Sequence, residues 1–466
     1  MGTLGKTVRF GLLLLAAAGS ATASQEVPDP FTPATRLALA ASAAGPALAI
    51  TNVAVASPAE DRFQTGRTIL IRNGRIRWVA ETEAAELPSD VQVIDGTGLT
   101  AMPGLIDAHV HAFDDLSLGV LLAHGVTAVR VMSGSPGALE ARERAGADVR
   151  APRLWVGSPL LAGEEVPWPH ILLRGGEEAG AAARDAVAAG YDFLKIYDGL
   201  TPAAYAAIAA VTDSSGVPFA GHVPLAVGVT GVLEAGQRSI AHLEQLLYGH
   251  FGRDGVMSLP FERLDGLVDL VAGRDVFLPT TLAGMERLMR RGTPWVDERF
   301  ERPEMAWVDP DLDDWWASVR GPPPAPEALE RRVRFLGLQE TLAVRLHEAG
   351  VPLVAGTDTP YPLLVPGAAL HAELEKLVQI GLTPSEALRT ATLHPARLLG
   401  MPGHLGVIET GALGDLVLVE GDPLEDIGAI GRIRGVVSRG EWLDRTELDR
   451  LLDEAASAFA RRRAGP

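Results

Sequence analysis

His109, His111, Lys195, His222, His242 and Asp358 are side chains that ligate metals or move protons, and each closes a short apolar run or stands just inside one. In a sheet of parallel strands those positions are the carboxyl ends, where barrel enzymes gather their catalytic groups. Their types and order are those that a hydrolase holding two metal ions on a (β/α)8 barrel would need. The pair His109-Val110-His111 follows Met102-Pro103-Gly104-Leu105-Ile106-Asp107-Ala108. The period of two on a strand sends both imidazoles to one face and Val110 to the other. One histidine in such a place is more often a satisfied core residue than a ligand; two at this spacing are a more specific signal.

His222 closes Val217 to Gly221 and His242 closes Ser239 to Ala241, each ahead of a helix-forming segment. Neutral imidazoles are the commonest protein ligands for zinc and related cations, though each of these two taken alone is also compatible with a core role. Asp358 ends the run Pro352 to Thr357, where a carboxylate could bind a metal and accept a proton from water. A helix-capping aspartate is its alternative. Lys195 lies between Leu194 and Ile196, and a charged ammonium among apolar neighbours costs free energy unless it is paired or neutralised. A desolvated amine is a nucleophile; addition of carbon dioxide would make it a carbamate able to bridge two cations. The alternative is an ammonium that reaches water or pairs with Asp192 or Asp198. Tyr197, two residues on, faces the same interior and could donate to a substrate carbonyl or oxyanion, or simply pack at the rim. His124 and His347 read as solvent-exposed or C-terminal-turn residues. His170, His250, His371 and His404 lie in or beside loops, and His170 and His250 are candidates to line a pocket.

Eight short β-like runs carry or accompany these residues: 105–111, 126–132, 154–158, 193–197, 217–222, 239–242, 276–280 and 352–358. Ala- and Leu-rich helical segments such as 177–189, 202–212 and 327–348 separate most of them, the alternation that predicts a parallel sheet and here an α/β (β/α)8 barrel. Thr201-Pro202 and Thr383-Pro384-Ser385-Glu386 mark helix starts, the second with a capping-box Glu. Before the barrel, runs at 47–54, 68–72, 75–80 and 91–95 read as strands, with Asn73-Gly74 as a hairpin turn. The same texture returns at 414–420 and 433–438, with a turn at Arg439-Gly440. The expected organisation is therefore a small β-sandwich domain from both flanks, 34–100 and 405–445, interrupted by a barrel over 101–404 and followed by a C-terminal helix, 446–466. Between the seventh and eighth runs, residues 285–328 hold Trp295, Trp307, Trp315 and Trp316, four of the eight tryptophans, and three consecutive prolines. A loop this long on the active face is either a lid or binding segment, or a satellite hydrophobic cluster packed on itself.

The 466 residues are enough for such a barrel and an accessory domain, and 47% hydrophobic with 21% charged residues is a globular composition. A net charge of −18 without a local basic cluster speaks against a nucleic-acid partner. With no cysteine, thiolate ligands, thiol nucleophiles and disulfides drop out. Lys6 and Arg9, the apolar run 10–18 and Ala21-Thr22-Ala23 form the three-part pattern of a secretory signal, residues 1–23, so export to the periplasm or outside the cell is expected. No later stretch reaches the roughly 18 uninterrupted apolar residues of a membrane span, so no membrane association is expected after cleavage. Self-association into a homo-oligomer stays open.

Met102 to His111, Phe193 to Tyr197, Gly221-His222, Ala241-His242 and Ala355 to Asp358 together resemble the metal-dependent amidohydrolase superfamily. Residues 406–426, with Gly414-Asp415-Leu416 and Gly421-Asp422-Pro423, resemble its returning β strands. Within it the chain is most similar to the branch related to imidazolonepropionase and to Xaa-Pro dipeptidase (prolidase)-like enzymes. The resemblance implies two divalent ions, usually zinc, with His109, His111 and Asp358 on one and His222 and His242 on the other. Carboxylated Lys195 and a hydroxide would bridge them, and Asp358 would shuttle a proton to the leaving amine. The implied reaction is hydrolysis of an amide or peptide bond in a small-molecule or dipeptide substrate, including N-acyl amino acids; no arginine can be singled out as the anchor for such a substrate's carboxylate. Competing readings are a one-metal deaminase or cyclic-amide hydrolase, with Glu244 handling protons, and an exported binding protein without catalysis.

Overall fold

The protein is described by a computed structural model covering residues 32–40, 47–111 and 114–465. The expected leader lies outside these residues. From the amino-terminal flank come β1 (Ala47–Ser57), β2 (Arg62–Arg72), β3 (Arg75–Glu81), β4 (Val91–Asp95) and β5 (Leu99–Pro103). The middle of the chain supplies β6 (Leu105–Val110), β7 (Val126–Val131), β8 (Arg153–Ala162), β9 (His170–Leu172), β10 (Phe193–Ile196), β11 (Phe219–Gly221), β12 (Ser239–Ile240), β13 (Leu278–Pro279) and β14 (Leu353–Val354). β15 (Leu416–Glu420), β16 (Ile433–Ser438) and β17 (Glu441–Asp444) follow, then a helix over Arg445–Ala464.

The middle strands form a curled parallel sheet in the order β12-β11-β10-β8-β7-β6, with β9 appended to β8 and β13 paired with β14. Isolated parallel bridges join Ser239 to Phe277 and Val110 to Thr359, and the Ala108 amide donates to the Ala355 carbonyl at 3.0 Å. Each of the eight runs expected from sequence coincides with one of these strands. Helices such as Gly176–Ala188, Pro202–Ser215 and Pro326–Glu348 lie between them. Thr201 and Thr383 cap their helices as expected, the second in a full capping box with Glu386. The main core is aliphatic and fills the space between the sheet and its helices.

The two flanks meet in one mixed eight-stranded sheet, β17-β16-β15-β5-β1-β2-β3, with β4 also on β1. Backbone pairing thus makes a single continuous sheet where a sandwich of two was expected. β1 changes parallel partner from β4 to β5 at a bulge around Asn52, which has a left-handed φ of 54°. Asn73 and Gly74 both have positive φ, as the hairpin turn between β2 and β3 demands. The segment 33–40, expected to go with the flank sheet, is a short helix whose Ala34 and Ala38 pack with Trp155 and Ile106 of the curled parallel sheet.

The flank sheet fixes where β6 begins. β5 pairs with β15 and leads through Gly104, whose amide donates to the Asp415 carbonyl at 2.9 Å. A Cβ on Gly104 would lie 2.1 Å from the Thr127 hydroxyl, so only glycine lets β5 turn so closely over β7. Asp415 then binds Arg153 at 2.8 Å and the Arg439 amide at 2.7 Å, with all three residues buried.

The insertion is largely helical, with turns over Pro294–Phe300, Pro303–Trp307 and Asp313–Ala317. It has its own apolar cluster around Val296, Val308, Trp316 and Val319, shared with Leu363 and Val365. Trp316 is 1% exposed and donates its indole N–H to the Pro360 carbonyl at 3.0 Å. Among the described residues no helix is long and apolar enough to cross a membrane. Asp415→Ala would strand the buried Arg153 guanidinium, and the expected loss is about 3–5 kcal/mol. Urea unfolding of the variant beside wild type measures it; a loss under about 1 kcal/mol would show that the pair does not tie sheet to barrel.

Candidate metal centre

The ends of β6, β10, β11, β12 and β14 bring His109, His111, Lys195, His222, His242 and Asp358 together. His109 is fully buried and lies beside His242 with ring centroids 4.4 Å apart; His111 is 5.4 Å from His109, and His222 is 5.5 Å from His242. Asp358 Oδ1 lies 2.8 Å from His111 Nε2 and 3.2 Å from His109 Nε2. His109, His111 and Asp358 each offer a ligand atom within 4.8 Å of the others, a group able to hold a metal ion. His111, Lys195, Tyr197, His222, His242 and Asp358 face a common cavity of about 570 Å³.

The backbone is strained where these side chains emerge. Asp358, His242 and Thr281 have φ of 64°, 71° and 48°, a left-handed conformation that costs a non-glycine residue about 1–3 kcal/mol. Asp358 is not a helix cap, since the next helix begins only at Ala368. Its position is fixed from below by Asp107, which is buried and accepts from the His109 amide at 3.2 Å, the Thr357 amide at 3.1 Å and the Thr357 hydroxyl at 2.8 Å. Asp107 thereby locks β6 to the end of β14.

Burial depresses every deep imidazole. His242 is pushed down to about 3 by desolvation, His109 falls well below its ordinary value for the same reason, and His222 is lowered too. These rings are neutral near pH 7, the form in which imidazole ligates metal. Burial works against charge on Asp358 as well, but His242, His109 and His111 outweigh it and hold the carboxyl well below its usual range. Lys195 is 1% exposed, and desolvation, partly opposed by Asp358, lowers its amine to about 7. Its two expected partners are engaged elsewhere. Asp192 binds Arg142 at 3.0 Å and the amides of Ala34 and Val156. Asp198 binds His222 Nδ1 at 3.0 Å and Arg253 at 2.8 Å.

Two outer partners orient rings. Asp198 holds His222, and the Thr281 hydroxyl lies 3.0 Å from His242 Nδ1, leaving Nε2 of each ring for the cavity. Neither was singled out for this from sequence; Thr281 directly follows the seventh run, and that adjacency was the available signal. Both ring nitrogens of His109 are buried, and neither makes an aligned hydrogen bond although Nε2 lies 3.2 Å from Asp358; a divalent ion between them would satisfy that side. The donor set of neutral imidazoles, a carboxylate and a neutral amine fits such an ion.

Tyr197 is half-buried and lies over His222 with ring centroids 4.1 Å apart. Burial, with Asp198 and Asp358 nearby, raises its phenol above the ordinary range, so it remains a donor. Glu244 faces the cavity too; burial pushes its carboxyl up to about 8, and Oε2 has no hydrogen-bond partner. His250 is exposed and is not on the cavity; His170 is not either, although its neighbours Trp168 and Pro169 are. His371 belongs to the helix Ala368–Gln379 and not to a loop, and its Nε2 lies 2.8 Å from the His124 carbonyl.

Residues 321–443 match the family model described as the amidohydrolase family. The chain is 33% identical over 91 residues to imidazolonepropionase of Rubrobacter xylanophilus, a stretch covering 18% of this chain and 21% of that enzyme. It is also 33% identical over 95 residues to imidazolonepropionase of Symbiobacterium thermophilum, covering 20% and 19%. The match thus spans about a fifth of the length of these curated relatives. Among solved structures, one assigned as a prolidase from Bifidobacterium longum is 25% identical, with 88% of this chain and 98% of that one covered at a TM-score of 0.67. Bottromycin amidohydrolase is 25% identical, with 92% and 94% covered at 0.71. A Xaa-Pro dipeptidase with methionine bound in its active site is 20% identical, with 85% and 100% covered at 0.63.

A site that binds an ion only when folded gains stability from it, about 2.7 kcal/mol at a concentration a hundredfold above Kd. Zinc or manganese added to chelator-treated protein is expected to raise its melting temperature, and His109→Ala to abolish the rise. An equal rise in both proteins would place the ion elsewhere.

Proposed function

We propose that the chain is an amidohydrolase-superfamily enzyme that hydrolyses an amide or peptide bond in a substrate of dipeptide or N-acyl amino-acid size, at a two-metal centre. The observation that carries this is the convergence of His111, His222, His242, Asp358 and a desolvated Lys195 on one cavity, with His109 buried directly behind them. On this reading the bridges at Ser239 and Val110 close the curled sheet into a (β/α)8 barrel, with the flank sheet as its accessory domain. The expected leader, residues 1–23, makes the protein an exported one.

His109, His111 and Asp358 would hold one ion and His222 and His242 the other, with Lys195 shared between them. Divalent ions there, zinc being the expectation, supply Lewis acidity that polarises a carbonyl and lets water attack near neutral pH. Lys195 suits its part because its amine is half neutral near pH 7. The nitrogen lone pair adds to the carbon of CO2, one C–O π pair moves to oxygen, and the N–H proton leaves to solvent, giving an anionic carbamate. That conversion turns a costly buried cation into a ligand. Asp358 accepts the proton of the attacking water and delivers it to the leaving nitrogen, which then departs as a neutral amine. Tyr197 donates its phenol hydrogen to the oxygen that gains charge as the carbonyl carbon becomes tetrahedral.

A one-metal deaminase is favoured by one observation, the buried Glu244 carboxyl on the cavity, whose Oε2 has no hydrogen-bond partner. The buried Lys195 amine on the same cavity weighs against it, since that chemistry gives an amine no ligand role.

Two metal equivalents per chain and turnover in a pooled dipeptide and N-acyl amino-acid assay with zinc and bicarbonate are the expected outcome. One equivalent, with ammonia released from an aminated ring, would instead favour the deaminase. Lys195→Ala is expected to lose both metal occupancy and rate; a variant keeping both would remove the carbamate from the mechanism.

A further inference from the structure

Beyond the ligating floor, the cavity wall is built from Leu160, Trp168, Met285, Leu288, Trp315 and Tyr361. Its three aromatic rings come from separate segments: the loop after β8, the insertion and the loop after β14. They touch in series, Trp168 to Trp315 at 5.4 Å and Trp315 to Tyr361 at 5.2 Å, both edge to face. Trp168 remains 39% exposed although it is a large apolar side chain, so this wall presents an open aromatic face at the mouth.

Charge is distributed differently. Among the described residues no arginine, and no lysine except Lys195, lines this cavity. Arg253, which approaches His222 from outside, is committed to Asp198 at 2.8 Å. Arg287, beside Met285 and Leu288, donates to the carbonyls of Leu363 at 2.8 Å and Ala283 at 2.6 Å. Ser133, Gly134 and Ser135 line the cavity ahead of the helix Pro136–Ala147, but that helix start is largely satisfied. Pro136 has no N–H, the Ser135 hydroxyl caps the Ala138 amide at 3.2 Å, and the Leu139 amide donates to the Ser135 carbonyl at 3.2 Å. A substrate carboxylate entering this wall would lose its hydration without gaining a cation.

We infer that the substrate is a neutral amide carrying a large apolar, preferably aromatic, group against the Trp168–Trp315–Tyr361 wall, with no free carboxylate inside the cavity. The inference rests on the proposed amide hydrolysis and narrows it, since an ordinary dipeptide or N-acyl amino acid is an acid at neutral pH. A cavity of about 570 Å³ has room for two rings flanking a scissile amide. Aromatic side chains at its mouth add edge-to-face contact to simple burial.

The test compares N-benzoylphenethylamine with N-benzoylphenylalanine, which differ only by the carboxylate, on the metal-loaded full-length protein. The neutral amide is expected to be favoured about tenfold or more in kcat/KM and in calorimetric Kd. Equal handling of the two, or preference for the acid, overturns the inference. Trp315→Ala should lower kcat/KM for the aromatic amide about tenfold while changing that for N-methylacetamide less than about twofold, with metal content unchanged. Equal losses on both substrates would mean that Trp315 only supports the fold. Leu288→Arg, which adds the missing cation, should narrow or reverse the preference against the acid. If neither compound is cleaved, the hydrolytic reading fails, and the calorimetric comparison still decides whether the wall selects a neutral ligand.

Discussion

A fully buried imidazole with neither ring nitrogen hydrogen-bonded is the constraint from which the rest of this molecule follows. Water cannot reach His109, and an unsatisfied polar group in such a place costs about 1–3 kcal/mol. The cost repeats around it in milder form, as His222, His242 and the Lys195 amine are desolvated too, with the carboxylates of Asp358 and Asp198 close against the rings. Desolvation keeps the nitrogens neutral, and neutral nitrogens repel one another less than charged ones would. A neutral imidazole keeps a nitrogen lone pair, which is the form in which it ligates a cation.

Such a set has to be held rigidly, because relaxation would let each ring find water or a backbone partner. Asp107 braces the base of the site by accepting from both β6 and the end of β14. Gly104 and Asp415 bring the flank sheet against the same strand from below. Asp198 and Thr281 set two rings from the side, and the left-handed residues His242, Thr281 and Asp358 show that the scaffold tolerates local strain to aim them. Interruption of one sheet by the whole curled parallel sheet then has a physical sense, since β5 and β15 pair across the full length of the middle segment and anchor the strand that carries the histidine pair.

The parts legible in the sequence were those in which a polar residue breaks an apolar run. Lys195 between Leu194 and Ile196, and His109 and His111 around Val110, announce themselves because strand periodicity and burial leave no other reason for them. The eight strand positions were legible for the same reason, and Thr383 to Glu386 because capping is local. What sequence left hidden is long-range. Asp198 reads as a partner for Lys195 yet serves His222, since the side-chain direction beyond β10 is decided by the loop and by Arg253. The alignment of Trp168, Trp315 and Tyr361 joins three loops that no local pattern relates. β5, β9 and β17 are short and take their strand character from their neighbours. The helix 33–40 has helix-forming Ala, Leu and Arg behind Pro33, but its docking on Trp155 is a long-range contact.

The insertion shows why the two sequence readings of it were not exclusive. Trp315 and Trp316 are consecutive, and on one short helical turn they face different surroundings: Trp315 looks into the cavity and Trp316 into the insertion's own core. The self-packed cluster is therefore what holds the cavity wall in place. A second tie comes from the carboxyl-terminal helix, where Arg462 reaches Asp309 at 3.0 Å and Asp311 at 2.8 Å, and Arg463 reaches Asp313 at 2.9 Å and the Val308 carbonyl at 2.8 Å. Exposed ion pairs of this kind contribute little stability singly, about 0–1 kcal/mol. Their consequence is geometric: forked guanidinium contacts fix the orientation of a segment that its apolar cluster already stabilises. The last helix of the chain thus acts on the mouth of the cavity through the insertion, and burial provides the stability while charge provides the aim.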